Sequence, residues 1–161
     1  MLFSHNKKGF TLIELLVVII ILGVLAALII GNFFTSLKKG RDARRKADLE
    51  QIQKALELYY EDKRAYPTQA PDPGFVFDAQ FADSGKVYMN RVPTDPLGTI
   101  YFYEAPADGS YYKLYACLEN DQQMLPYLSS PARFTCNKNC KDKDNNTVSC
   151  IWGISSTNIN P

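Results

Sequence analysis

The amino-acid sequence predicts an α+β fold: one long N-terminal helix, apolar in its first half and amphipathic in its second, packed on a small antiparallel sheet. Three observations carry this. All nine prolines lie at or beyond Pro67, so nothing of that kind interrupts the first 66 residues. Within that stretch an unbroken apolar run, Leu15 to Gly31, gives way to apolar residues at helical spacing. Beyond Pro67 the composition turns to Pro, Gly, Asp and Tyr, with short β-favouring runs between turn signals.

From Phe10 to Ile30 the only polar residues are Thr11 and Glu14. As a helix these 21 residues span about 31 Å, close to the hydrocarbon thickness of a bilayer. This is a membrane-spanning segment. After it Leu49, Ile52, Leu56 and Tyr59 recur at helical spacing, with Ala43, Ala47 and Ala55 as helix-favouring neighbours. Glu50 and Lys54 add an i,i+4 pair. One helix therefore runs from about Phe10 to about Arg64, ended by Tyr66-Pro67, since the residue before proline leaves the helical region. At about 1.5 Å per residue it is roughly 80 Å long, so half of it projects beyond any small domain.

Pro67 to Gly74 reads as loop, and Phe75 to Asn90 as a short helix or irregular packing. Pro93-Thr-Asp-Pro-Leu-Gly98 is turn chemistry. Ile100 to Ala105 and Tyr111 to Cys117 flank Asp108-Gly109, which predicts a hairpin. Val148, Cys150, Trp152 and Ile154 alternate with their neighbours, which predicts a third strand. Glu119 to Thr147 reads as mostly polar loop. Ten tyrosines lie between Tyr59 and Tyr127. Their clustering in the hairpin fits packing better than stacking platforms for sugars or single strands.

Composition narrows the function. Eighteen Lys and Arg against 17 Asp and Glu leave a net charge of +1, and no electrostatic case for nucleic acid. The one histidine, His5, lies in the first ten residues. If that leader is removed, no imidazole remains for a Ser-His or Cys-His pair or a His-ligated zinc. Carboxylates are plentiful, but no spacing singles out a pair, so the chain is not expected to be an enzyme.

Glu14 is the anomaly in the apolar run. A carboxylate in hydrocarbon costs about 2.5–3.5 kcal/mol even on lenient scales for the comparable Asp, so it needs a partner. The string Lys8-Gly9-Phe10-Thr11-Leu12-Ile13-Glu14-Leu15 resembles the prepilin signal of type IV pilins and type II secretion pseudopilins. The resemblance implies the pilin fold. It implies cleavage by a membrane prepilin peptidase between Gly9 and Phe10, then N-methylation of Phe10. It also implies that Glu14 meets the N-terminal ammonium of a neighbouring subunit during filament assembly. A carboxylate in a dry helix bundle becomes tolerable when a cation neutralises it. Residues 1–9 are then a leader, 10–64 the long helix with 10–30 in the membrane, and 65–161 the globular pilin domain. Where many relatives have proline near Gly31, this chain has Gly31-Asn32.

Six basic residues, Lys38, Lys39, Arg41, Arg44, Arg45 and Lys46, follow the span, with only Asp42 among them. By the positive-inside rule that flank belongs in the cytoplasm. The prepilin signal and the cysteines place it outside, and that reading is preferred. The cluster is expected to be a solvated helix face, ahead of pairing with adjacent subunits or contact with DNA or anionic lipid.

Cys117, Cys136, Cys140 and Cys150 form an even set in the part read as exported, which points to disulfides rather than zinc. Three connectivities are possible; 117–136 with 140–150 closes short local loops and is favoured, while spacing leaves the others open. Asp142-Lys-Asp144-Asn-Asn146 resembles the opening of a calcium loop but lacks the glycine and terminal glutamate, and reads as a solvated turn. Val92 to Gly98 and the following hairpin resemble the globular domain of major pseudopilins, which implies calcium in the loop after the hairpin. Here that loop is Leu118-Glu-Asn-Asp-Gln-Gln123, without the usual glycines, and Asp121 is the ligand candidate.

The expected function is mechanical. The chain is read as a structural subunit of a type IV pilus-like filament, held in the membrane and then extracted into a helical homopolymer by an inner-membrane assembly platform. The tail of 45 residues from Cys117 onward, with its covalent staples, favours a surface pilus over a periplasmic pseudopilus. The alternatives are a type II secretion major pseudopilin and a membrane-anchored binding module that never polymerises.

Overall fold

The computed structural model describes residues 9–68, 75–98, 101–125, 134, 136–142, 144–157 and 159. One helix, α1 (Leu12–Lys63), is followed by β1 (Phe81–Asp83), β2 (Lys86–Met89), β3 (Phe102–Glu104), β4 (Lys113–Cys117), β5 (Met124–Leu125), β6 (Asn139–Asp142), β7 (Thr147–Ser149) and β8 (Ile151–Ser155). The architecture is α+β and pilin-like. Two compact units divide inside the helix, residues 1–37 and 38–161. The outer half of α1 thus belongs to the same unit as the strands.

In the first unit, the window Leu12–Ile29 is long and apolar enough to cross a membrane, and none of it is buried. Its side chains are exposed on every face, as a helix bathed in lipid requires.

In the second unit α1 presents Leu49, Ile52 and Leu56, none with any exposed surface, followed by Tyr59. They pack on Val92, Tyr101, Tyr112, Leu114 and Ala116. The apolar spacing read from the sequence is the face that meets the strands. The helix ends where Arg64 turns to φ 58°, its N–H still donating to the Tyr60 carbonyl at 2.8 Å. Tyr66 then crosses Gly109: the Tyr66 N–H donates to the Gly109 carbonyl at 2.8 Å. A Cβ on Gly109 would lie 2.6 Å from the Tyr66 carbonyl oxygen, so this crossing requires glycine.

Among the described residues three small sheets form. β1 and β2 make a hairpin with Asp83 opposite Lys86, its turn residues Ser84 and Gly85 both at positive φ. That is the two-residue geometry matching strand twist, and it replaces the short helix or irregular packing expected over Phe75 to Asn90. The second sheet has the order β3-β4-β8, antiparallel throughout. The third has the order β5-β6-β7, with β5–β6 parallel and β6–β7 antiparallel.

Two further expectations change. The strand expected over Val148 to Ile154 is two strands in different sheets. At Cys150 the chain leaves β6 for β4: its N–H donates to Lys138 at 2.9 Å and its carbonyl accepts from Leu118 at 2.8 Å. The region expected as polar loop, Glu119 to Thr147, contains β5 and β6, which form around a second core of Leu118, Leu125, Cys140 and Cys150. Trp152 packs against both cores.

The tyrosines are packing residues. Tyr59, Tyr66, Tyr101, Tyr103, Tyr112 and Tyr115 are buried. Tyr101 donates its hydroxyl to Asp48 at 2.8 Å and Tyr103 to the Pro67 carbonyl at 2.6 Å. Each buries a ring while its polar tip is satisfied. Tyr127 and residues 1–8 of the expected leader lie outside the described residues.

Candidate functional site

Gly9 and Phe10 precede the first turn of α1, outside any element and exposed. Thr11 is the N-cap and Glu14 the third helical residue, and they satisfy each other's backbone. Thr11 N–H and Oγ1 donate to Glu14 Oε2 at 2.8 and 2.7 Å, and Glu14 N–H donates to Thr11 Oγ1 at 3.3 Å. This is a capping box, and Thr-x-x-Glu ahead of an apolar run is its sequence signal. In the sequence Thr11 stands out only as the other polar residue of the apolar run. Within one subunit it gives Glu14 two hydrogen-bond donors at the head of the apolar span.

The second site lies in the outer unit and corrects the expectation of a solvated basic face at Arg45 and Arg41, while Lys39 and Arg44 are exposed as expected. Arg45 is buried, its side chain 3% exposed. Its NH1 donates to Asp42 Oδ1 at 2.8 Å and pairs with Glu119 Oε1 at 2.7 Å. Its Nε and NH2 grip both oxygens of Asp95. Arg41, one turn earlier, makes a two-point contact with the same Glu119, at 2.9 and 2.5 Å. The two cations therefore pair with carboxylates of their own chain. The planar guanidinium suits this role because its donors diverge in one plane toward several acceptors.

Asp42 joins the cluster to the backbone. It accepts the N–H of Glu119 at 2.9 Å, the N–H of Asn120 at 2.8 Å and the Gln123 amide at 3.1 Å. Asp95 accepts from the N–H of Leu97 at 2.7 Å, which fixes the Pro93-to-Gly98 turn against α1. Lys46 completes the face, its Nζ 4.3 Å from the Trp152 ring centre and donating to Gln123 at 3.1 Å. The hydrogen bonds from Arg41 lower the Glu119 carboxyl to about 2, with burial opposing and Arg45 assisting. Burial alone would lower Arg45, but its bonds to Asp95, Glu119 and Asp42 raise it. These residues could not be matched by spacing, since Asp95 and Glu119 lie far along the chain. One signal was available: Asp42 and Arg45 precede Leu49, Ile52 and Leu56 on the same helical stripe.

Cys117 bonds Cys136 and Cys140 bonds Cys150, at sequence separations of 19 and 10. Asp142 is not a solvated turn residue. It is buried, and its Oδ1 accepts the N–H groups of Asp144 at 2.9 Å and Asn146 at 2.8 Å.

The calcium implied for the loop after the hairpin does not fit the residues there. A calcium ion takes about six to eight oxygens. Here backbone donors of Glu119 and Asn120 point at Asp42, while the Glu119 carboxylate is held by two guanidinium groups. Asp121 is exposed. Among the described residues no group of three or more His, Cys, Asp or Glu is placed to hold a metal.

An apolar span with one carboxylate near its head, continued by a helix that packs on a small antiparallel sheet, defines a pilin-like subunit. Residues 4–30 match the family model of the prokaryotic N-terminal methylation motif, and residues 32–124 that of type II secretion system protein G. A type II secretion system core protein G of Pseudomonas aeruginosa is 34% identical over 118 residues, 70% of this chain and 83% of the relative. The Escherichia coli protein of that name is 32% identical over 121 residues, 69% of this chain and 81% of its own. That of Aeromonas hydrophila is 33% identical over 116 residues, covering 64% and 76%. No solved structure matches this chain at a significant level. The chain belongs to the type II secretion system protein G family. These matches favour the secretion reading over the surface pilus expected from the cysteine-bearing tail.

Proposed function

We propose that the chain is a major pseudopilin: a membrane-held subunit that polymerises into a helical pseudopilus serving a secretion machinery. The observation that carries this is Glu14 at the head of a span exposed on every face, in a chain whose outer part matches the protein G family. Such a span leaves one helix surface for lipid and, after extraction, for identical helices of neighbouring subunits. The same contact repeated without closure gives a filament. The role is structural. A peptidase acts at Gly9–Phe10 and a methylase on Phe10, and the chain itself performs no catalysis. Before assembly the outer unit stands on the non-cytoplasmic side, where the cysteines meet an oxidising environment.

Glu14 changes partner on assembly in this reading. In the lone subunit Thr11 bonds it; in the filament the ammonium of a neighbouring Phe10 neutralises it. The test is to compare filament-incorporated with membrane-retained protein for wild type and Glu14→Leu, using cross-linking to report neighbours. Glu14→Leu is expected to insert and fold its outer unit normally, yet stay out of filaments. Incorporation at wild-type levels refutes the reading and favours an anchored binding module. Intact mass of protein from native membranes reports cleavage after Gly9, one added methyl group and two disulfides together.

A further inference from the structure

We infer that the loop between β4 and β5 is fixed by the guanidinium of Arg45 acting as a built-in cation, so the outer unit folds without a divalent metal. The loop's Glu119 carboxylate and the N–H groups of Glu119 and Asn120 are already engaged, and the loop is held from two sides. From the helix side Asp42 takes the N–H groups of Glu119 and Asn120 and the Gln123 amide. Arg45 then pairs with Asp42, Asp95 and Glu119 together, with Arg41 as a second cation on Glu119. From the other side Leu118 and Leu125 pack against the Cys140–Cys150 bridge, and the Leu118 N–H donates to the Cys150 carbonyl.

A divalent ion gathers oxygen acceptors around a loop. In this loop backbone N–H donors face inward, so the matching group is an anion, and Asp42 supplies it. Asp42 in turn needs a positive neighbour in a buried setting, and Arg45 is bonded to it there. A metal placed among these groups would displace a guanidinium already held by three carboxylates. The arginine is covalently part of the chain, so this cation cannot dissociate.

The experiment uses the full-length chain in detergent micelles, with thermal unfolding followed by near-ultraviolet circular dichroism and by limited proteolysis of the 118–125 loop. Wild type is expected to show the same Tm and digestion pattern in excess calcium chloride and in excess EGTA. Terbium, excited through the tyrosines and Trp152, is expected to show no saturable luminescence. A Tm raised by calcium, or saturable terbium emission competed by calcium, overturns the inference. Arg45→Met is expected to lower Tm by roughly 10 °C or more and open the loop to protease in either buffer. Arg45→Lys, which keeps the charge without the planar fork, is expected to fall between. If Arg45→Met keeps wild-type Tm and protection, the guanidinium is not what holds the loop. If it does not fold, the wild-type comparison still decides.

Discussion

Replacing Asp42 with alanine separates tertiary bonding from local helix preference, because the two push in opposite directions. Alanine is the better helix former, by up to about 0.7 kcal/mol. Against that, the substitution removes the acceptor of four bonds: Glu119 N–H, Asn120 N–H, the Gln123 amide and Arg45 NH1. Asn120 and Arg45 are buried, so water does not take over fully. Breaking a buried charge pair costs about 3–5 kcal/mol. Arg45 retains Asp95 and Glu119, which places the net loss at about 3–4 kcal/mol. For a unit of this size about 3–5 °C of Tm accompanies each kcal/mol, so Tm falls by roughly 10–20 °C. The assay is thermal unfolding of the full-length chain in detergent. Asp121→Ala, an exposed neighbour, serves as control and is expected within about 0.5 kcal/mol of wild type. A fall of under about 3 °C for Asp42→Ala would mean that the Asp42 bonds are not what holds the loop to the helix.

Acid should test Glu119. Its carboxyl is depressed from 4.5 to about 2 in the folded chain, so the ion pairs contribute fully above 4.5 and are lost as pH falls through about 2. Glu119→Gln should flatten that part of the Tm–pH curve; parallel curves for the two proteins contradict the assignment. Gly109→Ala meets the Tyr66 carbonyl and an unfavourable φ of 62°, whereas Gly98→Ala at φ 80° faces open space. The first should destabilise clearly more than the second, and equal Tm values would dismiss the crossing as a constraint. Replacing Cys140 and Cys150 together by serine should cost about 2–4 kcal/mol without impairing membrane insertion, measured by denaturant unfolding and membrane fractionation. A Cβ on Gly9 meets no atom within 4 Å, so Gly9→Val should leave the fold intact while full-length precursor accumulates on immunoblots. Normal processing of that variant counts against cleavage at Gly9–Phe10.

Much of this protein is decided locally. A proline-free run with an apolar stretch and then Leu49, Ile52, Leu56 and Tyr59 at helical spacing specifies both halves of α1, because backbone bonding within a helix needs only near neighbours. The Thr11–Glu14 cap spans three positions and is readable for the same reason. Asp83-Ser84-Gly85 likewise carried a turn signal for the β1–β2 hairpin, though short flanking strands hid it. Tertiary structure decided the rest. Alternation through Val148, Cys150, Trp152 and Ile154 has the same period whichever strand lies alongside, so it could not show the change of partner at Cys150. Charge counting placed Arg45 on a wet surface, since a guanidinium is normally solvated unless several acceptors converge on it. Those acceptors come from a turn and a loop far along the chain, at Asp95 and Glu119. Only the folded backbone brings them to one point, and only there does burying the charge become favourable.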